Sequence, residues 1–84
     1  MYKFEPTKSF EKGLKRLSVN EQRMVASKLK IMAQNPFHPS LRTKKVQRLN
    51  DVFECSVNMD IRILWTYESD RIILLIDIGR HSIL

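Results

Sequence analysis

The last third of the chain carries the strongest hydrophobic pattern. Residues 72–78 are all apolar except Asp77, and a short run rich in β-branched side chains favours a strand buried on both faces over a helix. The sequence therefore predicts that this segment is the central strand of a sheet. Gly79 follows it and predicts a kink, after which Arg80 and His81 would stand at the sheet edge.

Two more strands are predicted just before this segment. Apolar and polar side chains alternate over residues 53–58 and again over residues 61–67, which is typical of strands with one buried face. Asn58-Met-Asp60 predicts the hairpin turn between them, and the polar residues 68–71 predict the next turn. Arg62 interrupts the apolar side chains of its strand. If helices cover the face of Ile61, then Arg62 points to the open face.

The first half of the chain predicts a short strand and a helical hairpin. Residues 2–5 alternate before Pro6, and Thr7 can cap a first helix. Ser18 and Glu21 have the spacing of a capping box, which predicts the start of a second helix, and Asn35-Pro36 predicts its end. The expected core positions are Phe10, Leu14 and Leu17 in the first helix and Met24, Val25, Leu29, Ile31 and Met32 in the second.

These elements predict one α+β domain over residues 1–84. It would have a short N-terminal strand, a helical hairpin and then an antiparallel sheet, with the two helices packed on one sheet face. Residues 36–45 hold two prolines and are predicted to be a loop.

The basic residues are concentrated in one part of the chain. The formal net charge is +6, yet residues 8–48 contain eleven basic and two acidic residues, so that part carries +9 and the rest is negative. Such a surface suits nucleic acid or an acidic protein. The basic side chains around the loop are candidate phosphate contacts, with an ordinary solvated connection as the alternative: Arg42, Lys44, Lys45 and Arg48.

The sequence also restricts the cellular location and the kinds of catalytic or metal site that we expect. Cys55 is the single cysteine, so an internal disulfide is excluded, and without a leader or a membrane-length apolar run we expect a cytoplasmic protein. One Cys and two His are too few for a usual zinc site, so no metal is expected. A nucleophilic set of Ser56, His81 and Asp77 has no local support. Arg62 could instead be a surface residue paired to Asp60 or Asp77, and Asp77 could belong to a structural ion pair.

Three segments together resemble a known family. Residues 49–55, the strand from Asp60 through Arg62 to Tyr67, and the run ending in Gly79-Arg80-His81 resemble the second half of the RelE/ParE superfamily of bacterial toxins. The likeness is best to its ribosome-dependent messenger-RNA endonucleases of the RelE and YafQ kind. The family also begins with a short strand and a helical hairpin, so the resemblance covers nearly the whole chain and implies a RelE-like fold.

The resemblance implies roles for four residues. An Arg at the place of Arg62 holds the scissile phosphate, and a Gly-x-His after the last strand supplies the general acid, which His81 matches. Asp60 matches an Asp before the middle strand, and could orient His81 or act as the base. Arg80 could add positive charge at the phosphate. The substrate's own 2′-OH would attack, and no cofactor is implied.

The sequence departs from the family at several positions. YafQ-like members have further histidines where this chain has Lys44 and Ser56, and RelE-like members have two lysines near Glu54 and Ser56 that are missing here. Relatives often place an aromatic residue shortly after the last catalytic position, whereas here Ser82, Ile83 and Leu84 follow His81.

The resemblance also implies partners and two rival functions. A type II toxin has a cognate antitoxin, with which it can form a hetero-oligomer, and its targets would be the ribosome and messenger RNA. The first alternative is a ParE-like poison of DNA gyrase with the same fold. The second is a relative that binds RNA or the ribosome without cleaving.

Overall fold

The computed structural model of the chain describes residues 1–81. The positions after His81, where the resemblance implies an aromatic residue, lie outside the described residues. The elements in chain order are β1 (Lys3–Pro6), α1 (Lys8–Lys15), α2 (Val19–Gln34), a 3-10 turn (Pro39–Leu41), β2 (Lys44–Lys45), β3 (Phe53–Ser56), β4 (Ile61–Ser69) and β5 (Ile72–Arg80).

The five strands form one mixed sheet in the order β1-β5-β4-β3-β2. The strands β2 to β5 pair antiparallel, and β1 lies parallel to β5. The α+β class and the short first strand are confirmed, but the predicted central position of β5 is wrong, because β4 takes it. One edge of β5 pairs with β1 only over residues 72–75. The helix α1 packs beside the rest of that edge.

The open face of β5 is half-buried, so the prediction of burial on both faces is also wrong. Ile73, Leu75 and Ile78 are buried, whereas Ile72 and Leu74 on the other side are intermediate. An apolar run is typical of double burial, but among residues 1–81 one side of this strand, with Ile73, Leu75 and Ile78, belongs to the buried core. The strand also continues through Gly79 to Arg80 without a positive φ, so the predicted kink is absent.

A β-bulge in β5 reverses which side chains face the helices. Leu64 pairs with Asp77 and Trp65 pairs with Leu75, so Ile76 is an extra residue on β5. Before the bulge the odd-numbered residues Ile73 and Leu75 are buried, and after it Ile78 is buried.

The helix α1 is fixed to the free edge of β5 at both of its ends. The hydroxyl of Thr7 accepts from Phe10 N (3.1 Å) and donates to Ile76 O (2.6 Å), so one side chain caps the helix and binds the strand. At Gly13 the helix approaches so closely that an added Cβ would collide with the carbonyl oxygen of Ile78 and lie 2.8 Å from its Cγ2. Glycine allows this approach because it has no side chain.

The helix α2 begins at the predicted capping box. Ser18 Oγ accepts from Glu21 N (3.1 Å), and Glu21 Oε1 accepts from Ser18 N (2.9 Å). Its core stripe is Val25 and Met32, with Leu29 and Ile31 partly buried. Met24 is 39 % exposed, which corrects its predicted core position. Met24 directly precedes Val25 in the helix, so its side chain points away from the Val25 stripe and towards the hairpin turn, where Asn58 Nδ2 lies 4.0 Å from its Sδ.

One hydrophobic cluster joins both helices to one face of the sheet. Its largest fully buried members are Trp65, Met32, Leu41, Ile61, Ile63, Ile73 and Leu75. Residues 36–45 are more ordered than the predicted loop, because Pro39–Leu41 forms a 3-10 turn that buries Leu41, and Lys44–Lys45 adds an edge strand. Within residues 1–81 no helix is long and apolar enough to cross a bilayer.

Candidate active site

The sheet register places two rows of side chains on the open face. Ser56, Arg62 and Gly79 pair across β3, β4 and β5. Beside them, the second row crosses four strands and consists of Lys44, Glu54, Leu64 and Asp77. Paired residues in neighbouring strands share a face, so Arg62 lies beside Gly79, which has no side chain to pack against it.

Arg62 is held by the turn that precedes its strand. Its Nη1 donates to Asn58 O (2.7 Å) and to Ile61 O (3.3 Å), and its Nε lies 3.5 Å from Glu54 Oε2. The side chains of Arg62 and Glu54 are each 16 % exposed. The expected alternatives for Arg62 were ion pairs with Asp60 or Asp77, and the structure gives Glu54 as its partner. Nη1 and Nε make these contacts, and Nη2 is a further donor of the same guanidinium that could bind a ligand oxygen.

His81 approaches the same carboxylate oxygen of Glu54. Its Nδ1 lies 3.9 Å from Glu54 Oε2, its backbone N donates to Asp60 O (2.6 Å), and its side chain is 61 % exposed. A cavity of about 200 Å³ lies here, lined by Val46, Arg48, Glu54, Leu64 and His81. One carboxylate oxygen therefore lies near both a guanidinium and an imidazole, beside this cavity.

Arg80 and Asp60 lie apart from this group, although the sequence predicted them in one site with Arg62 and His81. Arg80 pairs with Ile61, which is buried under the helices. Its guanidinium binds Glu21 of α2 and the carboxylate of Asp60. The bulge at Ile76 is the cause, since it turns residue 80 to the helix face and residue 81 away from it.

The four residues predicted to contact phosphate do not lie together in the structure. Lys44 pairs with Glu54 on the open face, and Arg48 lines the cavity beside His81. Lys45 pairs with Phe53, whose ring stacks on the buried Trp65, so it lies on the other face. Arg42 has a left-handed backbone (φ 51°) at the end of the 3-10 turn and lines a different cavity. Lys44 and Arg48 are therefore the two near the candidate site.

Glu21 and Cys55 are among the titratable groups whose pKa is displaced, each for a clear physical reason. The hydrogen bond from Arg80 is the main cause that lowers the pKa of Glu21 from 4.5 to about 2. Burial raises the pKa of Cys55 from 9.0 to about 12. Asp77, for which we expected a structural ion pair, accepts a hydrogen bond from Ile78 N (2.8 Å). Among residues 1–81, no His, Cys, Asp and Glu side chains are grouped to hold a metal ion.

Glu54 is the residue that sequence reasoning missed. It alternates with the inward-facing Phe53 and Cys55, which already places it on the open face with Arg62. The sequence could have indicated Glu54, because it puts a carboxylate on the same face as Arg62 in the neighbouring strand of the hairpin. The missing information was the register, which sets Glu54 diagonally beside Arg62 and within reach of His81.

No protein-family model matches the sequence, and no curated protein matches it. The fold, however, is similar to that of solved RelE, YoeB/ParE and YafQ toxins. An archaeal RelE in complex with RelB from Pyrococcus horikoshii superposes with a TM-score of 0.80 at 16 % identity, covering 96 % of both chains. A YoeB/ParE toxin from Agrobacterium tumefaciens gives 0.80 at 12 % identity, covering 94 % of this chain and 98 % of that one. YafQ from the E. coli DinJ-YafQ toxin-antitoxin complex gives 0.72 at 16 % identity, covering 99 % and 96 %.

Proposed function

We propose that this chain is the toxin of a type II toxin-antitoxin system and an endoribonuclease that cleaves messenger RNA on the ribosome. The observation that carries the proposal is the placement of Glu54 Oε2, 3.5 Å from Arg62 Nε and 3.9 Å from His81 Nδ1, on the open face of a RelE-like sheet. A base, a cation and a proton donor are the three groups that cleavage by an internal hydroxyl requires.

Each group has one task in the reaction. Glu54 accepts the proton of the substrate's 2′-OH, whose oxygen attacks the adjacent phosphorus. Arg62 stabilises the negative charge that develops on the phosphorane oxygens, with Nη2 directed to them. Protonated His81 gives its proton to the departing 5′-oxygen, since histidine can hold and release a proton near neutral pH. The products are a 2′,3′-cyclic phosphate and a free 5′-OH.

The surrounding surface supports binding to RNA. Lys44 and Arg48 adjoin the reacting group, and they belong to the basic half of the chain, residues 8–48. Phosphate contacts of this kind fix the position of the backbone without reading sequence. Arg42 and Lys45 would contact RNA or ribosome further from the scissile bond. A ribosome that already holds the messenger would supply the remaining alignment.

An antitoxin is the second expected partner. The E. coli YafQ structure is a toxin-antitoxin complex, and the archaeal RelE structure contains RelB. A chain with a net charge of +6 suits an acidic binding partner. We propose that such a partner folds onto this toxin and blocks its access to messenger RNA.

The test is to map messenger-RNA ends after a short induction in cells without the antitoxin. We expect new 5′-OH ends within translated regions for the native chain and for His38→Ala, which removes an exposed histidine outside the site. His81→Ala and Arg62→Ala should leave no such ends while keeping the circular dichroism of the native fold.

Two results would contradict the proposal. DNA breaks without new messenger-RNA ends would indicate the gyrase poison. Ribosome binding without new ends would indicate the relative that does not cleave.

A further inference from the structure

One guanidinium connects three elements on the helix side of the candidate site. Arg80 Nη1 lies 2.8 Å from Glu21 Oε2, and Nη2 lies 3.3 Å from Glu21 Oε1, so the two groups meet as a fork. The same Nη1 lies 2.9 Å from Asp60 Oδ2. We call Glu21, Arg80 and Asp60 the ionic clamp. It joins the N-terminus of α2, the end of β5 and the turn before β4.

The Glu21 end of the clamp is held by the capping box of α2. Its carboxylate also accepts from Ser18 N (2.9 Å) in the capping box, and Ser18 Oγ accepts from Glu21 N in return. The carboxylate is therefore oriented by the helix terminus before it meets Arg80. An ion pair whose one partner is already fixed loses less side-chain entropy than two free side chains would.

The other end of the clamp determines where His81 lies. Asp60 binds Arg80 through its carboxylate and accepts the backbone N–H of His81 through its carbonyl (2.6 Å). The imidazole itself is 61 % exposed, and its nearest ionic contact is the 3.9 Å approach to Glu54. The position of this imidazole therefore depends on the backbone of residues 80 and 81, which the clamp holds.

We propose that Glu21 and Arg80 are positioning residues for the general acid His81, and that Arg80 does not bind the scissile phosphate. This inference rests on the proposed function. Arg80 acts from the helix face, opposite to the face on which Arg62 and Glu54 meet the substrate. A displacement of about 1 Å at a reacting group can lower a rate roughly 10²-fold, so loss of the clamp should slow cleavage without weakening RNA binding.

Glu21→Gln is the sharpest variant because glutamine can still act as the capping-box acceptor at that position, while the charge that binds Arg80 is lost. The matched control is Glu11→Gln, which removes an exposed acid from the first turn of α1. Single-turnover cleavage on programmed ribosomes should fall about tenfold to a hundredfold for Glu21→Gln and Arg80→Gln, with the half-saturating concentration unchanged. The double variant Glu21→Gln, Arg80→Gln should cleave at about the rate of the slower single variant, because both changes break the same contact.

Two outcomes of the kinetics would overturn the inference. One is a Glu21→Gln rate equal to that of Glu11→Gln while His81→Ala is inactive, which leaves the proposed function intact. The other is an Arg80→Gln defect that lies in the half-saturating concentration, as expected for a phosphate ligand.

Hydrogen exchange tests the clamp independently of catalysis. The His81 amide should exchange faster in Glu21→Gln than in Glu11→Gln, because its acceptor Asp60 is no longer tied to α2 through Arg80. Unchanged protection of this amide overturns the inference even if the native chain proves unable to cleave RNA.

Discussion

Arg62 and Arg80 lie on adjoining rungs of the β4–β5 ladder, yet their side chains lie on opposite faces of the sheet. Arg62 pairs with Gly79 on the open face, and Arg80 pairs with Ile61 on the face covered by the helices. The two arginines therefore meet different partners: Glu54 for Arg62, and Glu21 with Asp60 for Arg80. Only the first is placed to meet a substrate on the open face.

The first prediction concerns the geometry of Arg62. Arg62→Lys keeps the charge but loses the planar fork that binds the Asn58 carbonyl and that, in the proposed reaction, would also bind a phosphate oxygen. We expect the cleavage rate to fall about 10²-fold, in the range found when one electrostatic donor is removed from an active site. Single-turnover cleavage on ribosomes measures it. Arg23→Lys, at an exposed position of α2, should cleave at the native rate; equal rates for both variants would contradict the role of Arg62.

The second prediction concerns the packing of α1 on β5. Gly13→Ala should destabilise the fold by about 1–3 kcal/mol, because the new methyl group collides with the Ile78 carbonyl and the helix must move. This cost exceeds the gain of roughly 1 kcal/mol that alanine brings to a helix interior. Urea unfolding measures the difference. Lys30→Ala, on an exposed part of α2, should change stability by less than about 0.5 kcal/mol, and a stabilised Gly13→Ala would rule out the close contact.

The third prediction concerns acid stability. The pKa of Glu21 is lowered to about 2 in the folded chain from an ordinary 4.5, so its stabilising effect is present above pH 4.5 and disappears as the pH falls towards 2. The melting temperature of the native chain should drop across this window more than that of Glu21→Gln. Thermal melts at pH 5, 3.5 and 2 test this. Parallel curves for the two proteins would show that Glu21 does not ionise as described.

The fourth prediction concerns the single thiol. Burial raises the pKa of Cys55 to about 12, and its side chain is fully buried in the core. Because the thiolate is the reactive form, iodoacetamide at pH 8 should label the native chain far more slowly than the chain in urea. The single cysteine makes the label specific to one position. Native labelling as fast as that in urea would mean that β3 opens frequently.

Local signals in the sequence were sufficient to predict where the two helices begin. Thr7 and the Ser18–Glu21 pair act within one helical turn, so their spacing alone predicts the two helix starts that the structure shows. The alternation of residues 53–58 and 61–67 likewise predicts β3 and β4, since period two depends only on neighbours along the chain.

Which side chains meet in the candidate site depends on the register between strands that are far apart in the sequence. Counting alternate residues along β5 without a bulge puts Arg80 on the open face, and the extra residue Ile76 reverses that assignment. Glu54 was missed for a similar reason. Its neighbours Arg62 and His81 are brought to it by the β3–β4 and β4–β5 registers, which sequence periodicity does not determine.

The central claim is that Glu54, Arg62 and His81 cleave RNA together through the substrate's 2′-OH. The most direct measurement is single-turnover cleavage by the purified chain on ribosomes programmed with a messenger that carries a mapped cleavage position. Glu54→Gln and His81→Ala should each slow the reaction by about 10²–10⁴-fold, whereas His38→Ala should not. A messenger with a single 2′-deoxy sugar at that position should resist the native chain. Cleavage of the 2′-deoxy messenger, or a native rate for Glu54→Gln, would contradict the claim.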